Sequence, residues 1–140
     1  MQSLENTMLI TDLDGTLLPA SKEISVADAA AISQFRAKGG KFAIATGRTL
    51  QAAQRYLKKL QPNIPVILFN GAAIYDPVAE KWLYTEELPP EAAAITRQVL
   101  EAFPDVSAEI LRTDGTYVSR MTPYEKEHLE ICQVEPILAM

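Results

Sequence analysis

The stretch Thr11-Asp12-Leu13-Asp14-Gly15-Thr16-Leu17-Leu18 sets two carboxylates two positions apart, directly after an apolar run that begins at Met8. Two unit negative charges about 4 Å apart repel by roughly 4 kcal/mol at an effective dielectric of about 20, so a fold that keeps such a pair usually supplies a cation or a shared proton. Phosphoryl transfer has a use for both groups. Asp12 could attack phosphorus as a carboxylate and carry the phosphoryl group as an acyl phosphate. Asp14 could protonate the leaving oxygen and then take a proton from the attacking water, a role that favours a pKa raised toward the working pH. Gly15 lets the chain turn sharply, and Thr16 offers a hydroxyl and an amide to phosphate oxygens.

Such residues need elements to hold them. Met8 to Leu13 reads as a strand covered on both faces of a parallel sheet, with ligands binding at its carboxyl end. Ser25 can cap a helix that has Asp28 in its first turn; Ile24, Ala29, Ile32 and Phe35 follow helical spacing, and Gly39-Gly40 ends the helix. Lys41 to Ala45 is a second strand, and Thr49 to Leu60 a second helix with Leu50, Ala53, Tyr56, Leu57 and Leu60 on one face. Pro65 introduces a third buried strand, Val66 to Phe69, closed by Asn70-Gly71. This alternation predicts an α/β fold with a right-handed, doubly wound parallel sheet. Weaker strands, Ala73 to Tyr75 and Lys81 to Tyr84, surround the turn Asp76-Pro77.

From Leu88 the character changes. Pro89-Pro90 opens a helix to about Phe103, and strands Ala108 to Arg112 and Tyr117 to Ser119 flank the turn Thr113-Asp114-Gly115-Thr116. Residues 1–87 are expected to form the N-terminal part of the α/β core, and 88–140 the incomplete beginning of an α+β module. The tail from Thr122 is expected to hold one short helix, and Glu135 to Met140 no closing element. His128 and Cys132 could share a helical face, but a metal site needs more ligands.

The DxDGT stretch after an apolar strand resembles the first motif of the haloacid dehalogenase superfamily, in which the first aspartate is the nucleophile and the second the acid/base. Ala45-Thr46-Gly47-Arg48 looks like the second motif, and Asn70-Gly71-Ala72 with Ile74-Tyr75-Asp76 resembles the Cof-type sugar-phosphatase branch. The resemblance implies a doubly wound, Rossmann-like core followed by a cap. It also implies Mg²⁺ on the Asp12 carboxylate and the Asp14 backbone carbonyl. Gly15, Thr16, Thr46, Gly47, Arg48, Asn70 and Gly71 would then line the phosphate and substrate, with Thr46 on the transferring phosphoryl group. The implied activity is hydrolysis of a small phosphorylated metabolite, such as a sugar phosphate, through an aspartyl-phosphate.

The family's later motifs, a lysine and a pair of acids that completes the Mg²⁺ site, have no counterpart in these residues. Lys126, in an acidic setting, reads as part of an exposed charged turn. Little positive charge is therefore expected to face the phosphate, Mg²⁺ to bind weakly, and the 140-residue chain to be inactive by itself. The first strand would be an exposed edge open to self-association. The alternative is a non-catalytic binding or scaffold module derived from the same fold. A phosphoryl-accepting signalling domain fits the DxDGT context poorly. A net charge of -5 with scattered Arg36, Lys38, Lys41, Arg48, Arg55, Lys58 and Lys59 argues against a nucleic-acid partner. One cysteine, no signal core and no long apolar run point to the cytoplasm and away from the membrane.

Overall fold

The computed structural model describes residues 3–139. Its elements run β1 (Met8–Thr11), α1 (Val26–Ala37), β2 (Lys41–Ile44), α2 (Leu50–Leu60), β3 (Val66–Leu68), β4 (Ala73–Asp76), β5 (Lys81–Thr85), α3 (Glu91–Ala102), β6 (Glu109–Arg112), β7 (Gly115–Val118), α4 (Pro123–Cys132) and β8 (Pro136–Leu138). The chain divides into two compact units, Met1–Arg48 with Ala53–Glu86, and Thr49–Ala52 with Glu87–Met140.

In the first unit, β1 and β2 pair in parallel from Met8 opposite Lys41 to Thr11 opposite Ile44, with α1 as the crossover. The Ser25 side chain caps α1 by accepting from Asp28 N at 3.0 Å, which satisfies a donor the helix itself cannot. Asn63 ties down the start of β2: its Oδ1 accepts from Phe42 N at 2.7 Å and its Nδ2 donates to Gly40 O at 3.0 Å. Beyond β2, Ala45 makes a single parallel bridge to Ile67. From there β3, β4 and β5 form an antiparallel meander. The parallel pairing read for the first three strands holds through β1, β2 and the bridge to β3, and the two weaker strands read around Asp76-Pro77 then run antiparallel. The cause is local: Phe69, Asn70 and Gly71 all take left-handed backbone, with φ of 52°, 55° and 99°, and reverse the chain in a 3₁₀ turn. Leu13, Leu18, Phe42, Ile44, Val66 and Leu68 form the fully buried centre.

β1 is shorter than the run Met8 to Leu13. It ends at Thr11, because residues 13–18 close a turn in which Leu18 N donates to Leu13 O and Gly15 N to Leu18 O. Met8, Leu9 and Ile10 are also 57%, 42% and 46% exposed, since β1 has only β2 beside it among the described residues. The apolar run is not a strand covered on both faces but the exposed edge expected where no further strand lies beside it.

In the second unit, β6 and β7 form the hairpin read from Asp114-Gly115, with Arg112 opposite Gly115. Thr122 caps α4 by accepting from Glu125 N at 3.1 Å. Lys126 therefore lies on a helix rather than in a turn. The segment expected to end without a closing element instead supplies β8, parallel to β7 through Thr116–Pro136, Tyr117–Ile137 and Val118–Leu138. Pro136 lacks a donor but sits at the first position of the strand, where proline is tolerated. Ala52, Val118, Leu129 and Val134 pack together, with Cys132 against them. No helix among the described residues is long and apolar enough to cross a membrane.

Candidate active site

The ends of β1, β2 and β3 carry the residues singled out by sequence. Asp12 follows directly on Thr11, whose carbonyl accepts from Ala45 N at 2.9 Å, so Asp12 and Thr46 each stand one residue beyond the pairing of adjacent strands. Thr46 N donates to Ile67 O at 3.0 Å, and Asn70 N donates to Thr46 O at 3.2 Å, which draws in the end of β3. Gly47 lies against the Asn70 side chain: a Cβ there would stand 2.6 Å from Asn70 Oδ1, so only glycine leaves the asparagine its place. Asn70 holds left-handed backbone (φ 55°, ψ 31°), which costs a non-glycine residue about 1–2 kcal/mol. Strain of this kind gathers where a side chain must be aimed. Gly71 follows at φ 99° and is exposed.

Asp12 is exposed, and its carboxylate has no hydrogen-bond or ion-pair partner among the described residues. Asp14 is the opposite. Arg48 Nε donates to its Oδ2 at 2.7 Å and Arg48 Nη2 to its Oδ1 at 2.9 Å, while Lys22 Nζ donates to Oδ1 at 2.7 Å. The Arg48 hydrogen bonds, only partly opposed by burial and reinforced by Lys22, hold the Asp14 carboxyl well below the usual carboxylate range. This corrects the expectation of a raised pKa. It also corrects the expectation that little positive charge stands here.

Arg48 is no surface cation; its side chain is 9% exposed, and its guanidinium lies 5.2 Å from the centre of the Tyr56 ring. Its own N–H donates to Thr46 Oγ1 at 3.2 Å, which leaves the hydrogen of the buried Thr46 hydroxyl to be offered elsewhere. Gly15 has φ 77° with open space where a Cβ would project, and Thr16 is exposed with its N–H on Leu13 O at 3.4 Å.

Lys22 and Tyr56 were not singled out by sequence as site residues. Lys22 lies in the loop after Pro19, eight residues beyond Asp14, and nothing in its neighbours signals where that loop folds. Tyr56 reads as one more apolar position of α2, yet its hydroxyl donates to Lys22 O at 3.1 Å.

Among the described residues no group of three or more His, Cys, Asp or Glu is arranged to hold a metal ion. Two oxygens nevertheless suit Mg²⁺, which is commonly held by one or two carboxylates with water and substrate phosphate completing the shell. They are the unpartnered Asp12 carboxylate and the Asp14 backbone carbonyl, to which no backbone N–H among the described residues donates.

The chain as a whole resembles known proteins. The family model for haloacid dehalogenase-like hydrolases matches residues 9–135. The chain belongs to that family. A 5-amino-6-(5-phospho-D-ribitylamino)uracil phosphatase of Bacillus subtilis is 30% identical over 125 residues, 87% of this chain and 44% of that protein. An HMP-PP phosphatase of Cronobacter sakazakii is 33% identical over 99 residues, 71% of this chain and 35% of that protein. A haloacid dehalogenase-like hydrolase from Bacteroides thetaiotaomicron superposes with a TM-score of 0.83 at 18% identity, over 95% of this chain and 51% of that one. The chain therefore spans about half, or less, of the length of these haloacid dehalogenase-like relatives, which are hydrolases and phosphatases.

Proposed function

We propose that these residues are the front half of the active site of a Mg²⁺-dependent phosphomonoester hydrolase that forms an aspartyl-phosphate on Asp12. The observation that carries this reading is the contrast between two neighbouring carboxylates: Asp12 is free and exposed, while Asp14 is fixed by three charge-assisted bonds. A nucleophile has to be unencumbered, and an acid/base has to be oriented.

In this reading an Asp12 carboxylate oxygen attacks phosphorus, the P–O bond to the leaving group breaks, and water later cleaves the acyl phosphate. Asp14, held as a carboxylate by Arg48 and Lys22, accepts the proton of that water; it protonates the leaving oxygen only after those bonds loosen and it takes up a proton of its own. Thr46 donates its hydroxyl hydrogen to a phosphoryl oxygen, and the turns at Gly15-Thr16 and Asn70-Gly71 border the substrate. Mg²⁺, when held by Asp12 and the Asp14 carbonyl, would supply charge that stabilises the phosphoryl oxygens. The names of the relatives support a small phosphorylated metabolite as substrate. The second unit is read as the start of a cap.

Among the described residues neither a further lysine nor a further acidic pair for the metal stands at this site, so the 140-residue polypeptide is expected to turn over little or no substrate. In a protein carrying these residues within the full family fold, Asp12→Asn abolishes hydrolysis of a generic phosphomonoester, because an amide cannot serve as the nucleophile. Appreciable turnover by that variant would remove the assignment.

A further inference from the structure

Asp14 is over-provided with cations. Arg48 alone satisfies both of its oxygens, in the planar two-bond geometry that suits a carboxylate, and is locked between Asp14 and the Tyr56 ring with 9% of its side chain exposed. Lys22 adds a third bond to an oxygen already taken. Its side chain is 37% exposed, and an ammonium on a four-carbon stem is a mobile point charge.

The backbone that delivers Lys22 is fixed with some care. Its φ of 57° lies in the left-handed region, which is unfavourable for a lysine. The conformation is kept because Lys22 N donates to Pro19 O at 2.9 Å and Tyr56 Oη donates to Lys22 O at 3.1 Å. Tyr56 therefore supports both cations, one through its ring and one through its hydroxyl.

Asp12, Asp14, Arg48 and Lys22 together carry no net charge before substrate arrives, and Arg55 is engaged on the Tyr56 hydroxyl and ring. An incoming phosphate dianion at Asp12 needs positive charge that can turn toward it. Arg48 is not free to turn, and Lys22 is. We propose that Lys22 is a phosphate-binding residue, parked on Asp14 in the state described here and transferred to an oxygen of the incoming phosphoryl group on binding. This rests on the phosphatase reading above, to which it adds a ligand contact that the sequence motifs do not include.

The test is ³¹P NMR titration of the 140-residue chain with inorganic phosphate in the presence of Mg²⁺, which needs no turnover. Lys22→Met and Lys22→Gln should each weaken phosphate binding about tenfold or more, the scale of a lost charge-assisted bond. Lys22→Arg should retain most of the affinity, and Asp14→Asn, which frees Lys22, should bind phosphate at least as well as the parent. Thermal melts of all four variants show whether each is folded. Unchanged affinity in both Lys22→Met and Lys22→Gln would overturn the proposal and leave Lys22 as a partner of Asp14 alone, and so would a parent chain that binds no phosphate. Neither result touches the nucleophile, which the Asp12→Asn turnover experiment tests; conversely, failure of that experiment with Lys22-dependent phosphate binding intact would sink the phosphatase and keep the anion site.

Discussion

Arg48→Met removes two charge-assisted bonds, at 2.7 and 2.9 Å, and one cation–π contact from the site. Bonds of that type are worth about 1.5–3 kcal/mol each when shielded, and a partly exposed cation–π contact about 0.5–1 kcal/mol. Two features reduce the sum: the Asp14 side chain is 37% exposed, so water replaces part of what is lost, and Lys22 still holds Oδ1. The expected cost is about 2 kcal/mol at neutral pH, or roughly 6–8 °C in Tm for a domain of this size.

The pH dependence is the sharper signature. A carboxyl whose folded pKa is depressed contributes stability above its unfolded pKa, near about 3.9, and loses it as the pH falls toward the folded value. The gap between parent and Arg48→Met should therefore be full from about pH 5 upward and should narrow below about pH 4. Urea titrations followed by circular dichroism across that range measure it. A gap under about 0.5 kcal/mol at pH 7, within the scatter of an ordinary surface substitution, would refute the reasoning. So would a gap that stays constant down to the most acid pH at which the protein remains folded.

Two further predictions concern other parts of the chain. Glu109 on β6 is pushed above its ordinary pKa, first by burial and then by hydrogen bonding to and repulsion from Glu125, with His128 Nε2 at 3.4 Å opposing. A raised carboxyl pKa favours the protonated native state and loses stability as the pH rises through it, so Glu109→Gln should raise Tm at pH 7 and change it little near pH 4. Equal effects at both pH values would contradict this. The exposed apolar edge of β1 should make the 140-residue chain self-associate, and Leu9→Lys should return it toward monomer in light scattering; a parent chain that is monodisperse and monomeric would count against the edge as a contact.

The sequence was most legible where local rules decide. Ser25 and Thr122 announce their helices because a side-chain oxygen can satisfy the first free N–H groups, and the polar turn residues from Thr113 to Gly115 announce a hairpin between two apolar runs. Elements built on contacts distant in sequence were harder to read. The β8 strand is three residues long and begins with proline, and it exists only because β7 offers a parallel edge to it. The antiparallel turn of the sheet after β3 depends on three consecutive left-handed residues; Asn70 and Gly71 are of types that advertise the conformation, and Phe69 is not. In the site, the motifs named Asp12, Asp14, Thr46 and Asn70, but the electrostatic state of Asp14 was read with the wrong sign. Its partners lie 8 and 34 residues away, and the spacing of two acids in a motif says nothing about which cations two later loops will bring.

The central claim, that Asp12 carries the phosphoryl group, is tested most directly by acid-quenching a protein with the full family fold during turnover of a phosphomonoester and mapping its peptides by mass spectrometry. The account predicts an acid-stable, base-labile phosphoryl adduct on the peptide containing Asp12, absent from Asp12→Asn. Turnover with the adduct on another residue would contradict it, as would steady hydrolysis by Asp12→Asn with no adduct at all.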